Sequence, residues 1–139
     1  MEHFGLNFDH FGLATRDADK TLDFLRGLGY RTPDTIHDPL QAVNLVLCKH
    51  ATMPAVEVIS VAEADYGPLE AILAEQPQAI YHLCFRSRDA AASLAAMKAA
   101  GHRIRLISQP KPAVLFNSLS VGFYLVGGFG LIEIIEDPA

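Results

Sequence analysis

Two histidines and two glutamates, each set inside an apolar, β-prone run, are the residues of this sequence best suited to chemistry. His10 lies within Phe8 to Thr15 and His82 within Ala79 to Ser87. Glu57 sits in Val56-Glu57-Val58-Ile59 and Glu133 in Leu131-Ile132-Glu133-Ile134-Ile135. Alternate side chains of a strand point to opposite faces. Phe11 and Leu13 therefore oppose His10, Gly12 and Ala14, while Leu83 and Phe85 oppose His82, Cys84 and Arg86. By the same rule Val56 and Val58 oppose Glu57, and Ile132 and Ile134 oppose Glu133. With the bulky faces packed against helices, both imidazoles and both carboxylates point into one concave, apolar cleft. A carboxylate in such a run is costly to bury unless it is paired or binds a cation. Two imidazoles with two carboxylates suit a divalent transition metal: imidazole favours Zn, Ni, Co or Fe, and carboxylate adds charge compensation and accommodates Mn. An octahedral sphere would keep two positions for water or a bidentate substrate. Any one of the four, taken singly, is better explained as an ordinary hydrogen-bonded residue of a half-exposed strand. Their symmetric recurrence favours the metal.

That symmetry is part of an internal repeat. Offset by 72 positions, residues 9–31 face residues 81–103 without a gap and match at seven of 23 positions, namely His10/His82, Arg16/Arg88, Asp17/Asp89, Ala18/Ala90, Leu22/Leu94, Gly29/Gly101 and Arg31/Arg103. Composition alone would give roughly one or two. Near the end of each half, the runs around Glu57 and Glu133 match at an offset of 76. The difference belongs in loops, where insertions are tolerated. Each half reads as a strand, then a helix with Asp17 or Asp89 as N-cap and Gly29 or Gly101 as left-handed terminator. Three β-prone segments follow: Tyr30 to Thr35, Gln41 to Cys48 and Ala55 to Val61 in the first half; His102 to Ser108, Leu119 to Val126 and Leu131 to Glu136 in the second. Gly67-Pro68 opens a short helical linker, Pro110-Lys111-Pro112 marks a loop, and Gly127-Gly128 a hairpin turn. The predicted fold is α+β: two βαβββ modules forming one curved eight-stranded mixed sheet with the helices on its convex face. Residues 1–139 are expected to be a single domain, with module 1 at about 5–62, the linker helix at about 63–77 and module 2 at about 78–137.

The remaining features exclude more than they add. The 139 residues are half hydrophobic and only 19% charged, which rules out a disordered chain. A formal charge of −5 with no basic stripe argues against nucleic-acid binding. No apolar run reaches the ~18 residues of a membrane span, and no basic-then-apolar leader opens the sequence. Cys48 and Cys84 form no CxxC pair, so a reducing, cytoplasmic compartment is expected. Cys48 reads as core and Cys84 as a core or cleft filler. His3, His37, His50 and His102 have no partner at ligand spacing. No Ser/His/Asp or Cys/His set can be placed by strand logic, and the glycines at 127, 128 and 130 precede no helix, which disfavours a phosphate loop. Arg86 and Lys111 are candidates for anion contacts, although Lys111 reads better as a solvated surface charge.

The whole pattern resembles the vicinal oxygen chelate superfamily, the paired βαβββ proteins that include glyoxalase I, methylmalonyl-CoA epimerase, extradiol dioxygenases and bleomycin-resistance proteins. Asp9-His10-Phe11-Gly12-Leu13-Ala14 with Arg16-Asp17 is similar to the family's opening strand. Ile80-Tyr81-His82-Leu83-Cys84-Phe85 resembles the epimerase-type second-module strand, and Gly130-Leu131-Ile132-Glu133-Ile134-Ile135-Glu136 its closing strand. The resemblance implies His10, Glu57, His82 and Glu133 as ligands of a divalent ion (Zn, Ni, Co or Mn). It implies a metal-dependent isomerase or lyase that removes a proton α to a carbonyl through a metal-chelated enolate, with Glu133 as base and Glu57 acting on the opposite face. The nearest activity is that of an epimerase of an acyl-CoA-type thioester. The alternatives are a glyoxalase I-like lactoylglutathione lyase and a non-catalytic binding protein of the bleomycin-resistance type. A dioxygenase fits less well, because its facial triad keeps open the position that Glu57 fills. Leu45 replaces an acid of one bacterial epimerase pattern, and Phe116-Asn117-Ser118-Leu119-Ser120 lacks the His-Pro-Lys stretch of many epimerases, which argues against methylmalonyl-CoA itself. Homodimerisation is also implied, with a small-molecule carbonyl or thioester as the only other partner.

Overall fold

A computed structural model of the chain describes residues 1–62 and 68–139. The elements run β1 (Asn7–Thr15), α1 (Ala18–Gly27), β2 (Ile36–Asp38), β3 (Val43–Cys48), β4 (Ala55–Val61), α2 (Pro68–Glu75), β5 (Gln78–Ser87), α3 (Ala90–Ala99), β6 (Ile104–Ala113), β7 (Leu119–Val126) and β8 (Gly130–Glu136). The fold is α+β, with a mixed eight-stranded sheet in the order β2-β3-β4-β1-β5-β8-β7-β6. The chain packs as two compact units, His10–Tyr81, and Met1–Asp9 together with His82–Ala139. None of the described helices is long and apolar enough to cross a membrane.

In the unit His10–Tyr81, β1 and β4 are parallel and β3 is antiparallel to β4. Leu22 and Leu25 of α1 recur at helical spacing and bury against Val46, Cys48, Val56 and Val58, with Phe11 and Leu13 packed alongside. The sheet face carrying Phe11, Leu13, Val56 and Val58 is thus the helix-covered one. Asp17 caps α1 by accepting the Lys20 N–H at 3.1 Å. The hydroxyl of Thr15 accepts the Asp17 N–H at 3.1 Å and is itself donated to by Thr21 at 2.9 Å. At the other end Gly29, at φ +98°, donates to the Arg26 carbonyl and Tyr30 to that of Leu25. This is the paired C-terminal closure that needs a left-handed residue.

The unit formed by Met1–Asp9 and His82–Ala139 repeats the same solution. Here β5 and β8 are parallel, β7 is antiparallel to β8, and Met97 of α3 packs with Tyr124, Ile132 and Ile134. Phe4 and Leu6 join this core, which explains why the first nine residues belong to it. Asp89 accepts the Ala92 N–H at 3.0 Å; Ser87 accepts that of Asp89 at 3.1 Å and pairs with Ser93 at 2.7 Å. Gly101, at φ +96°, donates to Lys98 and His102 to Met97. The repeat therefore extends to individual hydrogen bonds. One addition is local: Glu136 of β8 accepts the Ala90 N–H at 2.8 Å, giving α3 a second carboxylate at its N-terminus. Asp17→Ala and Asp89→Ala should each lower unfolding free energy by about 1 kcal/mol in denaturant titrations, the loss smaller for α3 because Glu136 remains.

Of the boundaries that differ from the sequence expectation, three have a clear physical reason. Tyr30 to Thr35 does not form a strand: only the bridge Arg31–Lys49 is made, and β2 starts at Ile36. Tyr30 is used in the helix closure, and Pro33 has no N–H to offer a ladder. β3 begins at Val43 rather than Gln41, because Asp38 accepts the N–H groups of Leu40 and Gln41 and Ala42 stands at φ +56°, a turn conformation. Most clearly, Pro110-Lys111-Pro112 is not a loop. β6 runs through it to Ala113, with register shifts between Leu106 and Ser108 and between Ser108 and Lys111. β6 is last in the sheet order, and an edge strand with bulges tolerates missing donors. The expected linker helix is observed over Pro68–Glu75, and its residues 63–67 lie outside the described set.

Candidate metal centre

Each unit builds one buried histidine–glutamate pair. In the unit His10–Tyr81, parallel pairing sets Gly12 opposite Glu57 and His10 opposite Ala55. His10 and Glu57 therefore emerge two residues apart on neighbouring strands, on the face away from α1. The His10 Nε2 to Glu57 Oε1 distance is 3.7 Å, and the residues are 0% and 3% exposed. β3 extends this face with Leu47 opposite Glu57 and Leu45 opposite Ile59.

The other unit places His82 and Glu133 by the same register, with Cys84 opposite Glu133. His82 Nε2 lies 3.1 Å from Glu133 Oε1, and the residues are 2% and 3% exposed. β7 supplies Phe123, opposite Glu133, where β3 of the other unit supplies Leu47. Its ring stands edge-on to His82, with centroids 5.3 Å apart and planes at 81°. Phe123 was not among the sequence candidates. A two-residue turn at Gly127-Gly128 would have set Gly122 opposite Glu133; the observed turn takes in Phe129 as well and pairs Val126 with Gly130, which brings Phe123 there instead.

The structure thus joins His10 with Glu57 and His82 with Glu133, each pair on the sheet face opposite the helix packed in its own unit. Each pair offers one imidazole nitrogen and one carboxylate oxygen as ligand atoms. The donor set fits a borderline divalent ion: imidazole nitrogens and carboxylate oxygens, with the carboxylates to balance the charge. Deep burial fits as well, because a carboxylate taken out of water needs a positive partner.

The remaining candidates divide. Arg86 is committed: its Nε donates to Asp9 at 2.7 Å and its Nη1 to Asp137 at 2.9 Å, and its guanidinium lies 5.9 Å from the Phe116 ring centre. The hydrogen bond to Asp9 is the main reason its pKa rises above the usual arginine value. Cys48 is fully buried and burial pushes its thiol up to about 11, which leaves it unreactive in the core. His50 is structural, with Nε2 donating to the Leu28 carbonyl at 2.9 Å and Nδ1 accepting the Thr52 N–H at 3.0 Å. His37 contacts Asn44, and His102 stacks edge-on with Phe4.

No curated protein sequence matches the chain. Among solved structures it is similar to methylmalonyl-CoA epimerase from Mycobacterium tuberculosis, at 20% identity over 97% of this chain and 88% of that one, with a TM-score of 0.74. A hypothetical protein from Bacillus halodurans C-125 matches at 18% identity over 95% of this chain and 94% of that one, with a TM-score of 0.78. A methylmalonyl-CoA epimerase solved in complex with methylmalonyl-CoA and ammonium matches at 20% identity over 96% of each chain, with a TM-score of 0.73. At these identities the likeness is one of fold. A family model matches residues 9–123, most of the chain and three of the four paired residues. The chain belongs to the Glyoxalase/Bleomycin resistance protein/Dioxygenase superfamily.

Proposed function

We propose that His10, Glu57, His82 and Glu133 together hold one divalent ion (Zn, Ni, Co or Mn), and that the chain is an isomerase or lyase moving a proton α to a carbonyl. The reading is carried by one observation: two fully buried His–Glu pairs stand at register-equivalent positions in the two units. When bound, the ion supplies Lewis acidity at the carbonyl oxygen and lowers the cost of the charge that develops there. Glu133 is the base. A carboxylate oxygen of Glu133 takes the α-proton, and the C–H electron pair moves toward the carbonyl. His82 Nε2 lies 3.1 Å from that carboxylate, while Phe123 against His82 keeps water from the same face. Glu57 is the second acid/base group. Proton return from it inverts the carbon, as an epimerase requires; return to a neighbouring carbon gives a glyoxalase-type isomerisation. Apolar neighbours such as Leu47 and Phe123 raise the strength of each charge interaction by excluding water.

The substrate class favoured is an acyl-CoA-type thioester, in line with the epimerase likeness; a cytoplasmic homodimer completes the reading. The test is wash-in of deuterium. Metal-loaded protein in D2O should erase the α-proton NMR signal of a propionyl-type or branched acyl thioester. Exchange of a hemithioacetal instead would assign the glyoxalase-type lyase. Tight ligand binding without exchange in either class would make the protein a binder of the bleomycin-resistance type and overturn the proposal.

A further inference from the structure

The 43 residues 90–132 contain no Asp or Glu but carry Lys98, Arg103, Arg105 and Lys111, while the rest of the chain holds seven cations and all sixteen acids. This acid-free stretch forms α3, β6 and β7, inside the unit that holds His82 and Glu133. The register shows which way its charges face. Ser108 pairs with Phe123, and Phe123 with Glu133; Lys111 pairs with Val121, and Val121 with Ile135; Arg105 pairs with Leu125, and Leu125 with Leu131. Directly paired residues share a face, and so do residues two apart. Arg105, Ser108 and Lys111 therefore stand on the same face as Glu133, two strands out, at the sheet edge.

Both cations are exposed, and among the described residues neither has a carboxylate partner. In contrast Arg16 pairs with Glu70, Lys20 with Asp17, and Arg86 with two aspartates. The corresponding edge of the other unit is different. Ile36 and Asp38 of β2 share the face of Leu45, and Asp38 is buried in its own turn. The register shifts and the two prolines of β6 also prevent it from pairing with a further strand, so this edge stays open to a ligand.

We infer that Arg105 and Lys111 line an anion-binding edge for a phosphate-bearing tail of the substrate, about 10 Å (two strand spacings) out from the strand of Glu133. The inference rests on the proposed α-proton chemistry for its role, and it assigns residues of this chain to the carrier end of the thioester, whose phosphate-bearing tail would run across β7 to β6. It makes Arg105 and Lys111 specificity residues, remote from the reacting atoms.

Adenosine 3′,5′-bisphosphate tests the subsite without catalysis. It should bind the full chain with an affinity that falls as salt rises. Arg105→Ala with Lys111→Ala should weaken binding at least tenfold, Arg105→Lys with Lys111→Arg should keep most of it, and Glu133→Gln should bind as the parent does. The second arm compares α-proton exchange of one acyl group carried on CoA and on unphosphorylated pantetheine. The preference for the CoA ester in kcat/KM should fall at least tenfold in the double alanine variant. No bisphosphate binding by the parent, or equal binding by the alanine variant, overturns the inference. Exchange with no preference between the two esters also overturns it while leaving the α-proton chemistry standing. Bisphosphate binding without exchange of either ester supports the subsite and removes that chemistry.

Discussion

Glutamine in place of Glu133 lowers the rate of α-proton exchange by a factor of about 10² to 10⁴, the usual contribution of a positioned general base. The substitution keeps the side chain's volume and a carbonyl acceptor for the site. It removes the carboxylate that lies 3.1 Å from His82, and with it the atom proposed to take the proton. Because Glu133 is 3% exposed and sits between the packed residues Ile132 and Ile134, the shape-conserving change should leave the β8 core in place. Metal content measured on the same sample separates loss of base from loss of ion. Expected is a retained ion, bound more weakly through the three other ligands, with exchange nearly abolished. Glu57→Gln should then slow racemisation more than deuterium wash-in, since one face can still exchange through Glu133. Parent-like exchange in the Glu133 variant would remove it as the base.

Stripping the divalent ion with a chelator should lower the melting temperature by about 10 °C, and adding it back should restore the parent value. A ligand that binds only the folded state at a thousandfold excess over its Kd stabilises by about 4 kcal/mol. For a chain of this length each kcal/mol corresponds to roughly 3 °C. The physical source is burial: His10, Glu57, His82 and Glu133 are all at most 3% exposed, so two carboxylates have left water. An unchanged melting curve over the full range of chelator would contradict the account.

Alternation along four apolar runs was enough to read which sheet face His10, Glu57, His82 and Glu133 occupy, because a helix covers one side of each run and leaves no ambiguity about the other. Val56 and Val58 pack on α1, so Glu57 faces away. The caps were equally legible: Asp17, Asp89, Gly29 and Gly101 are local solutions, decided by the few residues around them. The edge strands were not. Whether Pro110 and Pro112 end a strand depends on whether a neighbour needs their N–H groups, which is a property of sheet order. Lys111 could be read as an anion contact, but the face it shares with Glu133 depends on two register shifts that no local pattern reveals. Arg86 shared the right strand face and still proved committed elsewhere, because Asp9 and Asp137 reach it from remote positions in the chain.

The central claim is that two pairs, one in each unit, serve a single ion. Elemental analysis of metal-saturated, untagged protein tests it most directly, with His10→Ala and His82→Ala measured beside the parent. The account predicts one divalent ion per chain, and a large loss of bound metal in either variant alone. Two ions per chain, or an ion that survives undiminished when one histidine is removed, would contradict it.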